Sequence, residues 1–119
     1  MELSPLDKMI IPCLFSPQEK QSLYQILCAV RRIGNHHLDD KEKHIIEVMS
    51  IVDISNNDQV QSRSLTQQQM IGVLKRMDNG KKLYFAKFVS ITGLIGGISQ
   101  NETMFINWLF SELSIPTDF

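Results

Sequence analysis

The chain has 119 residues, the size of one folded domain, and 43% of them are hydrophobic against 21% charged, a balance that supports a core and excludes a disordered tail. Six glycines, four prolines and two cysteines exclude a collagen-like repeat and a disulfide scaffold. Twelve basic and thirteen acidic side chains leave a net charge of -1, so no global field draws the chain to nucleic acid or anionic lipid.

Residues 1–60 carry a net charge of -3 and residues 61–119 a net charge of +2, a split too small to name a partner. Cys13 and Cys28 lack a CxxC pair or a neighbouring Cys/His knuckle, which excludes a zinc finger and reads as buried or partly buried thiols. The first fourteen residues include Glu2 and Asp7 and no continuous apolar run, and no later run is long enough to span a bilayer. The expectation is a single cytoplasmic domain over residues 1–119, without a leader or transmembrane segment.

All four prolines lie near the ends, at 5, 12, 17 and 116, so nothing between Gln18 and Ile115 forbids long helices. Before Pro12 the pattern offers only a turn or a short helix. Ser16-Pro17-Gln18-Glu19 reads as a capping box with Pro at the first helical position, and Leu23, Ile26, Leu27, Val30 and Ile33 follow on one face, predicting a helix over 17–33 stopped by Gly34-Asn35. Asp39 reads as the next cap, with Glu42 as its box partner and Ile45, Val48, Met49 and Val52 as the stripe of a helix over 40–53. Residues 55–64 are polar and turn-rich and read as a connection.

Thr66 caps a shorter helix through Met70, Val73, Leu74 and Met77. Asp78 then caps one that is apolar nearly all round from Leu83 to Ile95, which predicts the central, most buried element. Gly96-Gly97 stops it, and Ser99 with Glu102 opens a last helix carrying Phe105, Ile106, Trp108, Leu109 and Leu113 before Ile115-Pro116. No strand alternation is present, so the fold class is all-α: a compact bundle of about five to seven helices.

An offset of 60 residues lays Leu23-Tyr24 on Leu83-Tyr84, Leu38 on Ile98, Glu42 on Glu102, Ile45-Ile46 on Phe105-Ile106 and Met49 on Leu109. The two turns, 35–42 and 95–102, share a plan of turn residues, one aliphatic, a cap and a glutamate, which predicts two pseudo-repeated helical hairpins. On Leu38 with Glu42, on Gly96, Ile98 and Glu102, and on the closing Leu113-Ser114-Ile115-Pro116, the chain resembles the tellurite-resistance TerB family over about residues 15–116. The resemblance implies two helical hairpins with an intervening helix, a bacterial protein linked to stress responses and membrane-associated assemblies, and acidic residues that bind a metal ion. The family's motif aspartate is replaced here by Asn35 in the first turn and Ile95 in the second.

Chemistry concentrates at the first turn. Asp40 and His44 stand four apart on one helix, and His36 or His37 supplies a third group for a Zn2+ or Ni2+ site, giving the candidate metal set His36, His37, Asp40 and His44. The competing reading makes the acids helix-dipole partners and the histidines exposed turn residues. Gly93, Gly96 and Gly97 end a helix and precede no Lys-Ser/Thr, so they do not read as a phosphate loop. Lys75, Arg76, Lys81, Lys82 and Lys87 read as solvated helix ends, and nucleic-acid binding is not expected. Met70, Met77, Phe105, Trp108 and Phe110 read first as packing, with one side of the last helix as a partner surface. No catalytic constellation is present, so the expected role is a non-enzymatic protein-interaction or regulatory module with no cofactor, and the alternative is a metal-binding protein. The partner is expected to be another protein, and nothing in the pattern fixes its identity or an oligomeric state.

Overall fold

A computed structural model describes residues 3–116. Seven helices follow in chain order among them: α1 (Pro5–Leu14), α2 (Pro17–Gly34), α3 (Leu38–Val52), α4 (Asn56–Ser62), α5 (Gln67–Lys75), α6 (Asn79–Leu94) and α7 (Gln100–Glu112). The expected all-α bundle is present, and no helix among the described residues is long and apolar enough to cross a membrane.

Capping chemistry sets most of the boundaries. Ser16 accepts from the Glu19 N–H while Glu19 accepts from the Ser16 N–H, and the same reciprocal box opens α5 at Thr66 and α7 at Ser99; each cap is worth about 1 kcal/mol. The box expected at Asp39 does not form. His37 is the N-cap of α3, left-handed at φ 49 and without a side-chain bond. An Asp or Ser cap needs extended backbone, which this tight turn, with Asn35 also left-handed, does not supply. Asp39 and Asp40 lie instead in the first turn of α3, and Glu42 pairs with Arg31 at 3.2 Å.

Two elements exceed the expectation. α1 runs straight through Pro12 although an interior proline costs about 3 kcal/mol. A Ser4–Asp7 capping box, a bond from the Tyr84 hydroxyl to Asp7 at 2.7 Å, and the burial of Ile11 and Phe15 hold it. The stretch read as a connection contains α4, which is anchored by polar contacts: Gln21 donates to Asp58 at 3.4 Å and Gln25 to Ser62 at 2.8 Å, while Val60 faces water. A helix whose buried groups are Asp58 and Ser62 leaves no apolar period to detect.

The hub of the bundle is α2, which packs on α3, α4, α5, α6 and α7; the expectation that the later apolar helix, α6, is central is therefore corrected. α6 does bury Phe85, Phe88 and Val89, but Leu83 is 70% exposed. The core joins Leu23, Leu27 and Val30 of α2 to Ile45, Val48 and Val52 of α3, to the α6 phenylalanines, and to Ile106, Leu109 and Leu113 at the end of the chain. Each fully buried aliphatic or aromatic side chain here contributes about 1.5–3 kcal/mol.

Burial also shifts the hairpin register. The offset of 60 sets buried Leu23 against exposed Leu83, and exposed Ile46 against buried Ile106. The stripes instead coincide at 62 between α2 and α6 (Leu23 with Phe85, Ile26 with Phe88, Leu27 with Val89) and at 61 between α3 and α7 (Ile45 with Ile106, Val48 with Leu109, Val52 with Leu113). Capping glutamates misled the sequence alignment, because Glu42 and Glu102 do different work. Of the two thiols, Cys28 is partly buried as expected whereas Cys13 is exposed; burial pushes the Cys28 thiol up, against the opposing pull of its bond with Tyr24.

Candidate functional site

The two hairpin turns meet. α2 ends at Gly34 and α6 at Leu94, and each turn receives side chains from the other hairpin: a Cβ at Gly34 would lie 2.6 Å from the Glu102 carboxyl carbon, and one at Gly96 would overlap the His37 ring. A Cβ at Gly34 fits only if the Glu102 carboxylate shifts, and at Gly96 a φ of +72 is one that glycine adopts without strain.

Three donors converge on Glu102 in this junction. Lys41 Nζ donates to Oε2 at 2.7 Å, while His36 Nε2 and the Ser99 N–H each reach Oε1 at 3.0 Å. Lys41 and Glu102 are both fully buried. Burial by itself would push the Glu102 carboxyl up, but the bonds from Lys41, Ser99 and His36 overcome it and hold the group below its ordinary value. The carboxylate is thus ionised and accepts only, so His36 Nε2 carries the hydrogen. With Lys41 wholly enclosed, this cluster forms a polar cross-link between α3, α7 and the turn that carries His36.

The candidate metal residues divide between this junction and the interior. His36 is committed to Glu102. His37 meets the His36 ring edge-on, with centroids 5.4 Å apart, and its Nδ1 lies 3.6 Å from Asp40 Oδ2 at the surface. His44 is buried, and its Nε2 has no hydrogen-bond partner among the described residues. Those residues hold no group of three or more His, Cys, Asp or Glu side chains placed to share an ion.

Burial lowers the His44 pKa from its ordinary 6.5, against the opposing pull of the Phe88 backbone and Glu47. In the unfolded chain His44 takes up a proton as the pH falls through about 6.5, whereas the folded protein resists it, so the folded state is favoured above that value and loses this contribution as the pH falls further. Urea midpoints are therefore expected to drop between pH 7 and pH 5 in the wild type and to stay flatter in His44→Leu. Glu102 and Asp58, both held below their ordinary values of 4.5 and 3.8, give up their contributions only at lower pH.

No protein-family model, curated protein or solved structure matches the chain.

The structure also displays an open apolar surface. Between α2, α5 and α7 lies a cleft of about 130 Å³ walled by Met70, Ile71, Phe105 and Trp108, with Ile26 and Ala29 of α2 in its lining. Ile26 is buried at its floor while Trp108 remains 40% exposed. Phe105 and Trp108 stack at a tilt, 6.0 Å between centroids. Gln25, Gln67 and Arg32 supply its polar margin.

The partner surface expected on one side of the last helix thus coincides with a real concavity, whereas Lys41 was missed. Its signal was available: Lys41, Ile45, Val48 and Val52 form one helical stripe, and a lysine in line with such a stripe is a candidate buried cation.

Proposed function

We propose that this chain is a TerB-like, non-enzymatic protein-interaction module with a regulatory role in a bacterial cell, and that its working surface is the cleft between α2, α5 and α7. The observation that carries the reading is an apolar concavity with two aromatic rings and one methionine in its wall: Phe105, Trp108, Met70 and Ile71 ring buried Ile26. Tryptophan, phenylalanine and methionine are enriched in the centres of protein interfaces. The buried charges at the turn junction bond one another, which supports a scaffold role for that region. The TerB assignment rests on the resemblance carried by residues Leu38, Gly96, Ile98 and Glu102 in the sequence.

The test is photocross-linking in cells that express the full chain, with a benzophenone amino acid in place of Met70 or, on a different surface, exposed Glu47. A discrete adduct to one protein from position 70, absent from position 47, is the expected result. No adduct at position 70, or the same adducts from both positions, overturns the reading.

A further inference from the structure

We propose that the occupant of the cleft is a short amphipathic helix from a partner protein, seating one large apolar side chain between Met70, Phe105 and Trp108 and placing a carboxylate on Arg32. This rests on the interaction reading above and goes further by fixing the chemistry of what binds.

Size sets the first constraint. The cleft is about 130 Å³, and an apolar cavity of roughly 150 Å³ accommodates one benzene ring. It therefore takes a single Phe or Leu anchor, not a stack of side chains. Its α2 margin runs from Gln25 past Ala29 to Arg32, a rise of about 10 Å at 1.5 Å per residue. That length matches two turns of a docked helix, in which positions three and four apart present an anchor and a flanking group on one face.

Charge sets the second. Arg32 is the charged residue among those lining the cleft, and no acidic side chain lines it. Arg31, its neighbour on α2, pairs with Glu42 at 3.2 Å, whereas Arg32 makes no ion pair among the described residues. The other polar margin groups, Gln25 and Gln67, are neutral, and the Gln25 amide is held on Ser62. A guanidinium at the edge of an apolar cleft offers a fork that matches a carboxylate, with an apolar anchor beside it to exclude water. A basic partner meets repulsion at the same place, so the charge selects as well as attracts.

Trp108 is the single tryptophan of the chain and stands in the cleft wall, so its emission reports occupancy. The probe is a synthetic Ala/Gln-based helical peptide with one Phe anchor and Glu at the positions three and four residues away, compared with the same peptide carrying Lys there. The Glu peptide is expected to shift Trp108 emission to the blue, saturably, with about tenfold tighter binding than the Lys peptide and with weakening at high salt. Arg32→Glu should reverse the preference, and Met70→Glu, with helical content unchanged by circular dichroism, should abolish both titrations. Equal affinity for the two peptides, no emission change, or a shift that sedimentation traces to self-association of the chain overturns the proposal. If the peptides fail while the cross-linker at position 70 still captures one protein, the acidic-helix assignment falls and the interaction module stands. If both fail, both fall.

Discussion

Lys41→Met is expected to lower the stability of the protein by about 3–5 kcal/mol, read as a lower urea midpoint with the slope unchanged. The magnitude follows from what is left behind. Glu102 is fully buried and ionised, and its Oε2 loses its donor at 2.7 Å while Oε1 keeps His36 and the Ser99 N–H. A carboxylate stripped of its counter-ion in the interior keeps its whole desolvation penalty, which is larger than the net value of the pair itself.

The double variant Lys41→Met, Glu102→Gln separates those two quantities. Glutamine keeps an oxygen for the Ser99 N–H and carries no charge, so the double variant should be clearly more stable than Lys41→Met alone, and the cycle completed with Glu102→Gln should give a coupling of about 0.5–3 kcal/mol. A Lys41→Met protein within about 0.5 kcal/mol of wild type, the range of ordinary surface substitutions, would show that Lys41 is not buried against Glu102.

The same residues show how far the sequence reached. Helices in which a capping box is followed by an apolar stripe were legible: Ser16 with Glu19 and Ser99 with Glu102 mark the starts of α2 and α7, and the stripes behind them carry the helices on. The helix start at residue 38 was not, because it is set by left-handed backbone at Asn35 and His37, and the His37 ring lies against Gly96 of the other turn. The contact between His37 and Gly96 is long-range and leaves no trace in the residues beside His37. α4 carries the local signal, a Ser55–Asp58 capping box, but its attachment to α2 is polar, so no apolar stripe follows the box to mark a helix.

At the candidate site the outcome is similarly divided. The first turn was marked by its histidines and acids, and it does lie at a junction, yet the partners are Glu102 of α7 and Lys41 of α3. The sequence assigned Glu102 a purely local role as a capping residue. It performs that role and a second one at once, bonding the Ser99 N–H with Oε1 while Oε2 reaches Lys41. The cleft was only half visible: Phe105 and Trp108 announced a crowded helix face, but Ile26, Met70 and Ile71 join them through the packing of three helices.

Gly34→Ala tests whether the junction is rigid, because two effects of opposite sign compete there. Gly34 is the last residue of α2, and alanine is the better helix former by up to about 1 kcal/mol, so a yielding junction would make the variant more stable. Against this, the new Cβ would lie 2.6 Å from the Glu102 carboxyl carbon and 2.7 and 2.9 Å from its oxygens. Those atoms end a flexible side chain, but three donors hold them, and moving the carboxylate disturbs a buried charge-assisted bond. The expected result is a net loss of about 1–3 kcal/mol, the range of overpacked cores. Introduced into a Glu102→Ala background, the same substitution meets no carboxylate and should become neutral or stabilising. That change of sign, measured as a double-mutant cycle, assigns the loss to the contact itself rather than to the end of the helix; a Gly34→Ala effect of the same sign and size in both backgrounds would show that Glu102 is free to move. Gly96→Ala should be destabilising in either background, since its penalty comes from the left-handed backbone and the His37 ring, neither of which the loss of Glu102 relieves.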